Sequence, residues 1–293
     1  MITYVKRKHL NEAKYNACVD ISYTSRVYGY SWYLDIVADY WDALVLDDYK
    51  AVLPVFYNKK WGVKYSFQPY FCQQLNIYTN LKLENLLIKK FYKKIPKSIL
   101  LFDVNYSFFI EGTTLKNKYN FSLELNKDYK NLFNNYRKDR KKSLQKATKA
   151  NLTYKNFNDK KALIVLFKEV FSFLNHPEKY YLKIDNIITY CIKNNLGFIR
   201  TISLNDELIC AGFFVKHKSR IYYLFGASNK KGKKYGATTF LIDSVIKEYS
   251  KTNNILDFEG STIPTIANFY KSFGSKKTIY FNLKTNVFKR IFL

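Results

Sequence analysis

The chain of 293 residues is poor in the residues that punctuate or cross-link small folds. Five prolines and ten glycines leave no material for a collagen-like repeat or a Gly/Ser linker. The three histidines, His9, His176 and His217, are scattered without metal-ligand spacing, which argues against a metal site and a histidine-based triad. The four cysteines, Cys18, Cys72, Cys191 and Cys210, form no Cys-x-x-Cys pair and lie among apolar residues, so they read as buried free thiols of a reducing compartment. No apolar run is long enough to cross a bilayer, and Met1 to His9 has no apolar stretch behind its charges as a signal peptide would. These absences point to a cytoplasmic protein without a transmembrane segment.

What is abundant is aromatic and basic. Hydrophobic residues make up 47% and aromatics 18%, enough for a substantial core, which excludes intrinsic disorder. The formal net charge is +26. Such a charge suits a phosphate-bearing partner, but 42 of the 49 basic residues are Lys and only 7 are Arg. Lys, Asn, Tyr, Phe and Ile share A/T-rich codons, and Arg is the better bidentate phosphate ligand, so part of the excess reflects composition alone.

Periodicity and turn chemistry give a mixed pattern. Helices are expected over Ser31 to Ala38, Leu83 to Lys94, Asn126 to Ala150 (with Asn126 as N-cap), Lys160 to Leu174, Ile184 to Asn194, Gly236 to Tyr249 and Pro264 to Phe273. Strands are expected between them, including Gly197 to Leu204, Glu207 to Val215, Arg220 to Phe225 and Lys276 to Thr285. Meander and crossover together define an α+β fold. A shift of 158 residues places Asp47-Asp48 on Asn205-Asp206, Phe56 on Phe214, Tyr65 on Tyr223 and Phe67 on Phe225, so the chain reads as two copies of one unit, residues 1–126 and 127–293. The first copy holds three glycines and a net charge of +6; the second holds seven and +20. Glycine permits close backbone approach, so ligand binding is assigned to the second, basic half. The tail Phe288-Lys-Arg-Ile-Phe-Leu293 suits packing or contact with an anionic membrane surface.

The richest stretch runs from Tyr222 to Thr239. It reads as a strand, a loop with two glycines and four lysines (Lys230, Lys231, Lys233 and Lys234), and a helix start. Backbone N–H groups of such a loop, with the helix dipole, suit a diphosphate; a solvated basic turn is the plainer alternative. Neither the Walker nor the Rossmann glycine spacing is present. Leu256-Asp-Phe-Glu-Gly-Ser261 and Ile263-Pro-Thr-Ile-Ala-Asn-Phe-Tyr-Lys-Ser-Phe-Gly274 follow.

Together these segments resemble the second half of a GNAT-superfamily acyltransferase. Lys233-Lys-Tyr-Gly236-Ala-Thr238 stands where that family has Gln/Arg-x-x-Gly-x-Gly/Ala, and Phe269, Tyr270 and Gly274 match its closing helix. Lys233 and Thr238 depart from the loop pattern, and Ile263 stands where the family commonly has Asn. Over nearly the whole chain the layout is similar to the FemAB-like subgroup, through Trp41 to Val45, Gln68 to Gln74, Tyr136 to Lys142 and Asp257 to Ser261. The resemblance implies two tandem GNAT-like (acyl-CoA N-acyltransferase) domains, each a mixed central sheet flanked by helices. Residues 1–126 would form the acceptor side and 127–293 the donor-binding side.

It also implies roles. An acyl group would pass from a phosphate-bearing donor, a coenzyme A thioester or an aminoacyl-tRNA, to a small-molecule or peptide amine, with no metal. Tyr270 is the candidate acid and Glu259 the candidate base, against a packed core aromatic and a surface carboxylate; Ser261 reads as a helix cap. Phe225, Gly226, Ala227, Lys231, Gly232, Lys233, Lys234, Tyr235, Gly236, Ala237 and Thr238 would hold the donor. Tyr30, Trp32, Gln68, Tyr70 and Gln73 would line the acceptor site, against a role in core packing. Arg137, Lys138, Arg140 and Lys141 offer a phosphate or tRNA contact, against a solvated helix face. Two alternatives stand beside an acyl-CoA N-acyltransferase: an aminoacyl-tRNA-dependent Fem-type peptidyltransferase acting on a cell-wall precursor, and a catalytically silent tandem-GNAT binding module.

Overall fold

Short amphipathic segments separated by Asn and Asp turns build a mixed α+β architecture. A computed structural model describes residues 1–286; the tail Phe288 to Leu293 lies outside the described residues. In chain order the elements are β1 (Ile2–Lys6), α1 (Glu12–Ile21), α2 (Ser31–Val37), β2 (Tyr40–Leu46), β3 (Ala51–Lys60), β4 (Val63–Phe67), β5 (Tyr78–Thr79), α3 (Asn85–Lys94), β6 (Ile99–Tyr106) and β7 (Leu115–Glu124). Then follow α4 (Tyr129–Asn134), α5 (Lys138–Lys149), β8 (Thr153–Asn156), α6 (Lys160–Val170), α7 (Glu178–Lys193), β9 (Gly197–Leu204), β10 (Glu207–His217) and β11 (Arg220–Ser228). The last are α8 (Lys230–Tyr235), α9 (Ala237–Glu248), β12 (Ile255–Asp257), α10 (Pro264–Lys271) and β13 (Lys276–Asn286). Among the described residues no helix is long and apolar enough to cross a membrane.

The chain forms two compact units. One takes residues 1–118 and the described residues from 279 onward; the other takes 119–278. In the first, β1 to β4 form an antiparallel meander, β4 pairs with β6 in parallel, and β6 pairs antiparallel with β13. In the second, β8 to β11 form the meander, β11 pairs with β12 in parallel, and β12 pairs antiparallel with β7. The two units thus share one strand order and one pattern of directions. The 158-residue repeat falls on equivalent strands, with Phe56 and Phe214 in β3 and β10, and Tyr65 and Tyr223 in β4 and β11.

The second unit wraps the buried helix α9 with β7 to β12. Leu241, Ile242, Val245 and Ile246 of α9 meet Ile209 and Phe214 of β10, Ile221 of β11 and Leu256 of β12 in one core. Asp159 caps α6 by accepting the Ala162 N–H at 3.0 Å, the role sequence chemistry gives it.

Two expectations change. The long helix from Asn126 is broken into α4 and α5, and its cap is Asp128, whose carboxylate accepts the Asn131 N–H at 2.8 Å. The break falls where tertiary contacts outbid helical propensity. Arg137 is extended and donates its N–H to the Ser272 carbonyl at 3.0 Å, while Tyr136 is buried edge-on against Phe273. The glycine-lysine loop is also not a loop: Lys230 to Tyr235 form the six-residue helix α8. The helix α1, whose buried residues are only Tyr15, Cys18 and Val19, has too faint an apolar stripe to be read from sequence.

Candidate functional site

The second unit concentrates its unusual chemistry where β11 leaves β12. Parallel pairing runs from Arg220↔Ile255 to Tyr222↔Asp257 and stops, yet β11 continues six residues further, to Ser228. A bulge next to this point lets Phe213↔Phe225 be followed by Phe214↔Tyr223, with Leu224 as the extra residue of β11. Bulges re-aim a strand, and here the strand is turned as its partner ends.

Asp257 anchors that partner end. It is fully buried, and its carboxylate accepts from Arg220 at 2.8 Å, from Asn120 at 3.0 Å and from the Glu259 N–H at 3.0 Å. Three elements, β7, β11 and the turn after β12, therefore meet on one carboxylate. Sequence reading noted Asp257 inside a motif but gave it no role; an acid at the end of an apolar strand was the available signal. The turn it holds is strained, with Glu259 and Gly260 both at positive φ, 62° and 65°. A non-glycine residue there costs about 1–2 kcal/mol, and the Asp257 bond to the Glu259 N–H offsets it.

Tyr270 lies on α10, next to this turn. Its ring stacks on Phe258 at 4.9 Å and is tilted to Phe121 at 6.4 Å and Phe269 at 5.8 Å. Burial, and then the negative charge of Glu259, push its phenol above the usual range. The Tyr223 phenol is pushed up too, by burial and then by Cys210 and Tyr270. The structure thus brings Tyr270, Glu259 and Tyr223 into one electrostatic neighbourhood. Ser261 bonds the Ile263 N–H at 3.0 Å, one residue ahead of the proline-started helix.

The donor candidates divide. Phe225, Gly226 and Ala227 lie on β11 beyond the end of its pairing with β12. Gly226 faces Gly212 across β10 and β11, and a Cβ at Gly226 would come 2.3 Å from the Tyr223 hydroxyl and 2.9 Å from the Ala211 carbonyl. Both glycines make room for the Tyr223 ring, so part of the glycine excess in this half is packing. In α8, Asn229 caps the helix by accepting the Gly232 N–H at 2.9 Å, and Gly236, at φ 75°, ends it. The Gly232 N–H is therefore taken by the cap. A Cβ at Gly232 would meet the Ile209 carbonyl at 2.4 Å, which explains glycine at this position.

Lys231, Lys233 and Lys234 are exposed; Lys231 pairs with Glu207, and the Lys234 ammonium lies 5.3 Å from the Tyr235 ring centroid. Ala237 is buried, Thr238 lies 3.8 Å from the Cys210 sulfur, and Gly236 is covered by Ser143 of α5. A cleft of about 560 Å³ opens beside α8, lined by Ser228, Lys230, Lys231, Lys233, Glu169 and Glu207. The Ser228 hydroxyl is buried there, beside the Cys210 thiol across β10 and β11.

The four cations at the start of α5 are placed differently from one another. Arg140 is turned inward: it donates to Ser272 at 2.8 Å and to Thr239, and its guanidinium lies 4.4 Å from the Phe269 ring centroid. Arg137 forms a two-pronged pair with Asp139, at 3.1 and 2.8 Å. Lys141 folds back onto the Asn134 carbonyl at 3.0 Å. Lys138 is exposed, as are Lys142, Lys146 and Lys149 further along the helix.

In the first unit, Gln68 and Gln73 converge on Asn105 of β6. Gln68 accepts the Asn105 N–H at 2.8 Å, and the Gln73 carbonyl accepts from the Asn105 amide at 2.9 Å. Tyr30 donates to Asp20 at 2.8 Å, a separate network. Trp32 is half-buried, edge-on to Tyr33, whose hydroxyl donates to the Phe71 carbonyl, and Tyr70 is exposed.

No protein-family model matches the sequence, and no curated protein matches it. Solved structures do match in shape. FemX superposes with a TM-score of 0.67 at 12% identity, covering 98% of each chain. The C-terminal domain of a putative lysylphosphatidylglycerol synthetase from Agrobacterium fabrum gives 0.56 at 9% identity, covering 96% of this chain and 95% of its own. A tandem GNAT protein from the clavulanic acid biosynthesis pathway gives 0.55 at 8% identity, covering 97% and 98%. At these identities the likeness concerns the fold, and by it the chain has the GNAT-like, FemAB-like fold of these proteins.

Proposed function

We propose that this protein is an N-acyltransferase whose two units are tandem GNAT-like domains, and that the second carries the donor. The observation behind this reading is the parting of β11 from β12: backbone of Tyr223 to Ser228 runs past the end of its parallel partner, leaving a slot in which an extended donor arm can take strand-like hydrogen bonds. The donor's phosphates would lie in the α8 cleft, against Lys230, Lys233 and the Ser228 hydroxyl. The acceptor amine attacks the acyl carbonyl, Glu259 takes the amine proton directly or through water, and Tyr270 gives its proton to the leaving thiolate or ribose oxygen. A phenol raised by burial keeps its proton throughout the neutral range, the state an acid needs. A cytoplasmic location fits the reduced thiols and a soluble donor.

Calorimetric titration with acetyl-CoA and longer acyl-CoAs tests the donor, using the protein and a Lys230→Glu/Lys233→Glu variant. Binding lost in the variant supports the reading; no binding to any acyl-CoA overturns the coenzyme version. A second reading, transfer from aminoacyl-tRNA, is favoured by the exposed Lys138, Lys142, Lys146 and Lys149 of α5. It requires tRNA affinity that falls steeply with salt.

A further inference from the structure

The first unit carries a feature that its folding does not explain. The hairpin of β3 and β4 closes through two residues, Trp61 and Gly62, between the register pair Lys60↔Val63. Both central residues have positive φ, 49° and 78°, the mark of the type I′ turn that suits strand twist. That turn favours Asn, Asp or Gly at its first position. Tryptophan there is strained by about 1–2 kcal/mol. It gains nothing from packing in return, because Trp61 is 91% exposed. Among the described residues its ring meets the Lys60 ammonium alone, 4.6 Å from the centroid. Val63, the next residue but one, is 42% exposed.

Charge surrounds this apolar tip. Lys59, Lys60 and Lys64 lie on the hairpin itself. The parallel register Lys64↔Ile99 brings the start of β6 alongside, and Lys97 stands two residues before Ile99. Lys93 and Lys94 close the helix that leads into β6. Five of the six are exposed and Lys64 is half-buried. None of them forms an ion pair among the described residues; the pairs of the adjoining segment, Lys82–Glu84 and Lys89–Glu111, involve other lysines.

From this we infer that the Trp61 hairpin is a docking element for an anionic phospholipid surface. A protruding indole with an exposed valine suits the bilayer interface, where amphipathic rings settle at headgroup depth. A rim of lysines suits the negative headgroups, each contributing through charge without a fixed geometry. A single-stranded nucleic acid is accommodated by a groove that tracks its backbone, and the tip is convex. The element presents the chain to a membrane surface without spanning it, and this holds whatever donor the second unit binds.

Co-sedimentation of the full chain with vesicles tests this, comparing phosphatidylcholine alone with phosphatidylcholine mixed with phosphatidylglycerol. The protein pellets with the anionic vesicles and not with the neutral ones. Trp61→Ala weakens binding roughly tenfold through loss of the interfacial ring. Lys59→Glu/Lys60→Glu weakens it by about a hundredfold or more, since attraction is replaced by repulsion at two positions. Brominated acyl chains quench the protein's fluorescence, and Trp61→Phe removes that quenching, because Trp41 is buried and Trp32 half-buried. Unchanged thermal melts for these surface variants exclude misfolding as the cause. Equal binding to both vesicle types, no binding, or Trp61→Ala binding like the parent overturns the proposal. So does quenching of Trp61 by single-stranded RNA with no response to anionic vesicles.

Discussion

The two units repeat one topology and differ at one joint. In the second, the fourth strand parts from the fifth after Tyr222↔Asp257. In the first, the corresponding strands β4 and β6 stay paired to the end of β4, at Phe67↔Asp103. The chain then continues the closure itself. The Gln68 N–H donates to the Asp103 carbonyl at 3.0 Å, the Asn105 N–H donates to the Gln68 side chain, and the Leu75 N–H donates to the Asn105 carbonyl at 2.9 Å. Residues 68–75 therefore continue along β6 in the first unit, whereas in the second the pairing of β11 with β12 ends at Tyr222↔Asp257. Gln68 and Gln73, candidates for the acceptor site in the sequence, both bond Asn105 of β6.

The comparison can be broken most forcefully at Asp257. Asp257→Ala leaves Arg220 and the strained Glu259 turn without their acceptor, and a buried partner removed in this way costs about 3–5 kcal/mol. Urea denaturation should show that loss; a change below 1 kcal/mol would mean that the joint is not held there. Next in size is Tyr270→Phe. Removing the proposed general acid should lower turnover about 10²–10⁴-fold, measured as single-turnover acyl transfer, with melting unchanged because the ring stack survives. Since burial raises the Tyr270 phenol, its proton is retained through pH 10, so the parent's alkaline activity limb should not begin at the ordinary phenol pKa.

Gly232→Ala, which drives a methyl against the Ile209 carbonyl, should cost about 1–3 kcal/mol and reduce donor binding together with stability. Gln68→Ala should cost about 1–2 kcal/mol by leaving the Asn105 N–H without its acceptor, while donor affinity is untouched. Loss of donor affinity in that variant would erase the distinction between the two joints. The smallest effect concerns the thiols. Burial raises Cys18 to about 11 and Cys191 and Cys210 to about 12, and pushes Cys72 up as well, so at pH 8 the folded protein should resist alkylation and expose four thiols in denaturant. Selective labelling of Cys210, paired with Ser228 across β10 and β11, would show that the second unit opens more widely than the first.

Much of this was legible in the residues. Alternating aromatics at a fixed shift reported equivalent strands because side-chain direction in a sheet is local. Pro264 marked the start of α10, and the Asn205-Asp206 pair marked its turn, because both act through their own backbone. What escaped was decided by distant partners. The break at Arg137 depends on a carbonyl at position 272. The inward turn of Arg140 depends on Phe269, Ser272 and Thr239, which no local pattern around Arg140 announces. Lysines 230, 231, 233 and 234 suggested a loop, yet an Asn cap and a glycine stop make a short helix of them. The bonding of residues 68–75 to β6 was hidden for the same reason: most of its hydrogen bonds are made by backbone, to which composition is blind.

The last strand has a consequence for the order of assembly. β6 receives its outer neighbour from β13, with Asn282 bonded to Asp103 across 179 residues of chain. During synthesis the first unit emerges early but waits, one sheet edge bare, until nearly everything after it has been made. In the second unit the meander β8 to β11 and its parallel partner β12 are complete by Asp257. The unit that is first in sequence thus stays open until β13 is made, and until then its unpaired β6 edge is exposed to misassembly.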